Sequence, residues 1–246
     1  MRKIGMNLKL LVFVIFSVFV GTSCSDYLDN EDQSKVKGDV FIRAFKEGDT
    51  IVYNRLYYAY SNYEMESVTV TGQDNDINIE LDTISYKFTY AHIPARDTYT
   101  TERPGSGNFL FDVEFEDGTT ELAEDYLEPV YVVPVDFTTL EWDTTSNKLI
   151  IEWDKVDNAD YYGLVLKNEN EEIVYESGII NNIYNRISLN NYTPGWKDGL
   201  MPESGDSLRI IHTTYSFEYQ ISTYDLQCLA VNDINTVAWG VPAENE

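Results

Sequence analysis

The chain has 246 residues, 42 Asp and Glu against 17 Lys and Arg, a formal net charge of −25 and a mean hydropathy of −0.32. A surface of that sign repels phosphate backbones and argues against a nucleic-acid partner. It also repels anionic lipid headgroups, so any hold on a membrane must come from something other than charge.

The chain opens with Arg2, Lys3 and Lys9 and no acid, followed by an apolar stretch from Leu10 to Val20 broken by Ser17. A membrane-crossing helix needs about 20 apolar residues. This run has the length and positive flank of a secretory signal segment. The small residues Gly21, Thr22 and Ser23 then lead to Cys24, and the acids Asp26, Asp29, Glu31 and Asp32 follow at once. This arrangement resembles a bacterial lipoprotein signal peptide, with Gly21 where the family usually has an aliphatic residue. The resemblance implies that residues 1–23 are removed and that Cys24 carries the lipid. The alternative is an ordinary cleaved signal with an incidental cysteine. Acyl chains contribute about 0.8 kcal/mol per buried methylene, so more than one makes a stable anchor.

Removing residues 1–23 leaves 14 basic against 42 acidic residues, a net charge of −28. Lipidation of Cys24 leaves Cys228 without a partner in the chain, so the fold must stand on apolar cores and not on disulfides. Residues 24–37 read as an acidic, solvated, flexible tether. The stretch "CSDYLD" resembles the opening of the glycan-binding surface lipoproteins of glycan-foraging gut anaerobes. That likeness covers a few residues and implies display on the outer membrane.

Beyond the tether the chain reads as short strands rich in Tyr, Phe, Val, Ile and Thr, with Gly, Asn and Asp between them. A first group spans 38–133, with candidate strands "DVFIRAF", "TIVYNRLYYAYS", "ESVTVTG", "INIEL", "SYKFTYAHI", "DTYTTER" and "GNFLFDVEF". In the last of these, Phe109, Phe111, Val113 and Phe115 recur in steps of two and point to one face. "TTELAEDYLEP" suits one or two helical turns. Seven or so strands in this length fit an immunoglobulin-like sandwich. Pro129 and Pro134 bracket a short extended connection, which predicts a semi-rigid pair of domains.

A second group spans 134–246. In "KLIIEWDKV" and "ADYYGLVL", Leu149, Ile151 and Trp153 should face Tyr162, Leu164 and Leu166. This stretch resembles a fibronectin type III domain, which implies that Trp153 is the tryptophan buried between sheets, that "ISLNNYTPG" holds strand E and that "YSFEYQIST" is strand F. The expected architecture is therefore all-β: two tandem β-sandwich domains, immunoglobulin-like and then fibronectin type III-like.

Catalytic patterns are missing from the sequence. His92 and His212 lie in no metal-spaced cluster, and neither a nucleophile elbow nor a phosphate loop appears. A paired-carboxylate site would need a sheltered pocket to raise one pKa. No enzyme activity and no cofactor are expected. "DNDINIE" starts like a calcium loop but has Ile79 and Ser85 where Gly and Glu are required, so no metal is expected. Cys228, in the apolar run "LQCLAV", reads as a small buried hydrophobe.

Aromatic residues carry the main functional hint. In "YNRLYYAYSNY", Tyr58 and Tyr60 share one strand face while Tyr53 and Tyr57 share the other; Tyr63 follows. One face must pack, and the other can offer rings to a ligand. Trp196, in the loop-like "TPGWKDG", is the other contact candidate. The candidate ligand residues are therefore Trp196, Tyr58, Tyr60 and Tyr63. Four Asp-Thr or Asp-Ser steps, at Asp49, Asp82, Asp143 and Asp206, resemble an O-glycosylation sequon and equally suit turns. The expectation is a lipid-anchored, surface-exposed outer-membrane module that binds glycan or protein. A structural spacer, an accessory subunit of a glycan-uptake complex and a fimbria-like adhesin subunit are the alternatives.

Overall fold

The computed structural model describes residues 36–72, 77–218 and 225–242. The signal segment, Cys24, most of the tether, and Asp74 and Asp76 of the acidic turn lie outside the described residues. The first half of the chain forms β1 (Val36–Glu47), β2 (Thr50–Ser61), β3 (Met65–Gly72), β4 (Asn78–Glu80), β5 (Asp82–Ser85), β6 (Thr89–His92), β7 (Gly107–Phe115) and β8 (Thr120–Leu127). The second half forms β9 (Phe137–Asp143), β10 (Lys148–Trp153), β11 (Tyr161–Lys167), β12 (Ile173–Asn181), β13 (Arg186–Leu189), β14 (Ser207–Phe217) and β15 (Leu226–Ala238). One 3-10 turn, Arg96–Thr98, interrupts the strands. The protein is all-β, as the alternating apolar pattern predicts.

Three sheets make the layers. An eight-stranded sheet in the order β12-β11-β14-β15-β1-β2-β6-β5 runs through both halves. The sheet β4-β3-β7-β8 covers its first half and β13-β10-β9 its second. The halves join where β1 and β15 pair in parallel, Ile42 to Phe45 against Cys228 to Val231. Each of these strands would otherwise present an unpaired edge, which invites unwanted pairing.

Period-two alternation fills the space between layers. Val40, Ile42 and Ala44 of β1 share a core with Phe109, Phe111, Val113 and Phe115 of β7. Leu149, Ile151 and Trp153 meet Tyr162, Leu164 and Leu166, with Trp153 fully buried as predicted. Phe41 and Phe45 of β1 point the other way and pack with Val52, Leu56, Tyr58, Leu229 and Val231. A strand buried on both faces needs a near-continuous apolar run, and "VFIRAF" is one.

Three expectations need correction. "TTELAEDYLEP" is strand β8 and not helix: Ala123 and Leu127 are buried at even spacing, while Glu121 and Asp125 occupy the alternate inward-leaning positions. Asp125 is used there, because its carboxylate accepts the Val40 N–H at 2.6 Å. "DTYTTER" is largely turn, touching β2 through one bridge between Tyr53 and Thr100. The strand that the fibronectin-type resemblance places at "YSFEYQIST" begins earlier: β14 runs from Ser207 and takes in "SLRIIHTT".

The connection between the halves is tied down along its length. The Gln227 side chain accepts the Glu128 N–H and donates to the Glu128 and Val130 carbonyls. Asn232 donates to the Val135 carbonyl at 2.8 Å. Cys228 is buried beside Val132, and burial pushes its thiol up to about 12.

Candidate functional site

The four aromatic residues singled out from sequence have different fates. Tyr58 is buried and stacks on Phe41 with ring centroids 5.5 Å apart. Desolvation raises its hydroxyl to about 12. Tyr60 is half-buried and Tyr63 is exposed. Trp196 packs edge-on between Tyr175 and Trp239, 5.0 Å from each, and its indole N–H donates to the Asn190 carbonyl at 2.9 Å. Gly195 makes this approach possible: its φ is +117°, and a side-chain carbon there would lie 2.2 Å from the Glu176 carbonyl oxygen. Both Tyr58 and Trp196 thus spend their rings on packing.

His212 is fully buried among Trp153, Tyr162 and Phe137, at centroid distances of 4.6, 5.4 and 5.8 Å. Neither ring nitrogen has a hydrogen-bond partner among the described residues. Burial drives its pKa down to about 3, so the imidazole is neutral and fills core space.

A second polar cluster lies where the N-terminal part of β1 diverges from β15. Asp39, Asp125, Glu218 and Asp225 gather around Lys37, which pairs with Asp225. Desolvation first, and mutual repulsion second, hold Asp39 well above the ordinary carboxylate range and lift Glu218 to about 8. Among the described residues, no group of three or more His, Cys, Asp or Glu is arranged to hold a metal ion.

A cleft of about 280 Å³ lies beside β2. Alternation along β2 puts Tyr53, Arg55 and Tyr57 on its inner face. After β6 the chain turns through Arg96–Thr98 and comes back beside β2, where Tyr53 and Thr100 exchange backbone hydrogen bonds at 2.7 and 3.1 Å. Asn54 fastens the turn by donating to the Thr98 carbonyl and hydroxyl at 3.2 and 3.0 Å. Residues 98–105 form the far wall.

Two arginines meet at this cleft. Arg55 donates to the Gly105 carbonyl at 2.8 Å and lies over the Phe109 ring at 5.5 Å, with its Nε buried and unpartnered. Arg103 is exposed and sits over the rings of Tyr53 and Tyr131, at 5.7 and 5.1 Å. Tyr131 in turn donates to the Pro104 carbonyl, which fixes the wall. Most basic residues in the described chain, among them Lys37, Lys46, Lys87, Arg96, Arg186, Lys197 and Arg209, meet a carboxylate. Arg55 and Arg103 form no such pair among the described residues, in a chain with 42 acids. The 48 positions between them hide the pair in the sequence; the local signal is the arginine flanked by aromatics inside "YNRLYY".

No family model matches the chain, and no curated protein matches it. Among solved structures it is similar to the FN1–FN3 domains of chicken CNTN1, at 12% identity and a TM-score of 0.31, over 81% of this chain and 62% of that one. It is also similar to a two-domain fibronectin type III segment of chicken tenascin, at 8% identity and a TM-score of 0.27, over 82% and 99%. A tetra-tandem repeat from the extending region of a large adhesion protein gives 12% identity and a TM-score of 0.25, over 82% and 49%. The chain thus spans less than two thirds of the first and third of these. At such scores the likenesses carry no argument about ligand or partner.

Proposed function

We propose that this chain is a non-catalytic binding module, held at the outer membrane by lipid on Cys24 and exposed at the cell surface, with glycan or protein as its ligand. The observation that carries the binding role is a cleft lined by Arg55 and Arg103, neither paired with a carboxylate among the described residues, in a strongly acidic chain. Concave sites with a few convergent polar groups are where small ligands bind. The anchor is supported by the sequence around Cys24 alone.

Two measurements test this. Cells expressing the full chain should carry it in the membrane fraction, accessible to added protease, and Cys24→Ala should release it. The purified full chain should be retained specifically on at least one member of a broad glycan panel or by one surface protein. A Cys24→Ala variant that stays membrane-bound overturns the anchor; absence of specific retention on every panel member overturns the binding role.

A further inference from the structure

We propose that the cleft beside β2 binds a saccharide carrying a single anionic group, carboxylate or sulfate ester, placed between the guanidinium groups of Arg55 and Arg103. The proposal rests on the binding role above and narrows it to one chemistry.

The argument starts from the two cations. Arginine offers a planar fork of donors that matches carboxylate and sulfate oxygens in pairs. Arg55 is pre-set: its carbonyl contact with Gly105 and the Phe109 ring hold the guanidinium at the cleft. Arg103 is exposed and is steered over the cleft by the Tyr53 and Tyr131 ring faces. An unpaired, partly buried guanidinium is costly, and an incoming anion would remove that cost.

The rest of the site sets the ligand class. A net charge of −25 opposes any dense polyanion at long range. One negative group on an otherwise neutral ligand avoids that penalty and still meets both arginines. The walls are polar, built from Asn54, Thr98, Thr100 and the main chain of residues 100–105, whose groups are mostly hydrogen-bonded to one another and so hold a fixed shape, while Tyr53 and Tyr57 are buried. Such a surface suits a hydroxylated ring and gives no open apolar pocket for a peptide anchor. Glu102 is the one acid in the lining and faces solvent.

The test uses the full chain in detergent and calorimetric titration with four probes: a trisaccharide of two neutral hexoses ending in galacturonate, its 6-sulfated galactose counterpart, its neutral galactose counterpart, and a capped tripeptide with a central glutamate. The expected result is saturable binding of one or both anionic trisaccharides, at least about tenfold tighter than the neutral one and weakened by added salt. The carboxylate and sulfate arms identify the anion. Arg103→Gln should lose about tenfold in affinity with the thermal midpoint nearly unchanged, because the residue is exposed; Arg55→Gln should lose at least as much. Equal binding of the neutral trisaccharide overturns the anionic assignment and leaves the broader binding role standing. Binding of the glutamate peptide as tight as that of the best anionic trisaccharide overturns the saccharide assignment. No binding of any probe, or binding unchanged in Arg103→Gln, overturns the site.

Discussion

Ile42 of β1 stands opposite Cys228 of β15 in a parallel ladder, and that register joins the first and last strands of the described chain into one sheet. A parallel pair needs a long crossover; here the crossover is nearly the whole protein. The two halves should therefore unfold together, in one calorimetric transition whose van't Hoff and calorimetric enthalpies agree. Ala230→Pro, at the middle of the seam, removes a ladder donor and should cost on the order of 3 kcal/mol. It should also split the transition in two. Two resolved transitions in the unaltered protein would refute the coupling.

Gly38 lies against the covering sheet. A side-chain carbon there would fall 2.2 Å from the Phe111 ring. Phe111 is fully buried in the shared core and cannot swing away. Gly38→Ala should thus cost about 1–3 kcal/mol through overpacking. Adding Phe111→Leu should return part of that loss, read as denaturation midpoints in urea. Equal stability of Gly38→Ala and the parent would show that the sheets separate more easily than the contact implies.

Legibility in the sequence followed how cleanly apolar residues alternate. β7 and β10 were readable because Phe109 to Phe115 and Leu149 to Trp153 put hydrophobes on every second position. β8 was not, because Glu121 and Asp125 stand at positions where alternation would expect hydrophobes, and Asp125 has a backbone partner on β1 that no local pattern announces. The shared sheet was equally hidden: Ile42 and Cys228 are 186 positions apart, and pairing between distant edges leaves no trace in composition. Tyrosine faces were half legible. The alternation of Tyr53 and Tyr57 against Tyr58 was visible, but the burial of both faces of β2 depends on the second cluster around Phe41 and Leu229.

Trp196 closes the end of the second sandwich, with Tyr175 on one side and the Trp239–Trp142 pair on the other. Trp196→Ala leaves a cavity and takes one of the two donors from the Asn190 carbonyl, which keeps the Thr193 N–H, and should cost about 3 kcal/mol, at the low end for a large aromatic because the ring is half-buried. Binding at the β2 cleft should be unchanged in this variant at a temperature where it stays folded. Loss of ligand affinity with no change in thermal midpoint would make Trp196 a contact residue instead.

His212 and Glu218 pull stability in opposite directions with pH. Burial holds His212 down, from an ordinary 6.5 to about 3, so its contribution is present above pH 6.5 and is lost as pH falls towards 3. Burial and neighbouring acids hold Glu218 up, from an ordinary 4.5 to about 8, so its contribution is present below pH 4.5 and is lost as pH rises towards 8. Asp39 and Asp125, both raised, act in the same sense as Glu218. Stability should therefore peak on the acidic side of neutrality and decline towards pH 8. Glu218→Gln removes one titration and should flatten the decline between pH 5 and 8. His212→Phe removes two nitrogens that have no hydrogen-bond partner among the described residues and should abolish the part of the pH dependence below 6.5 that His212 contributes. Thermal midpoints of the three proteins from pH 4 to 8 check both claims, and a Glu218→Gln profile parallel to that of the parent between pH 5 and 8 would refute the raised pKa of Glu218.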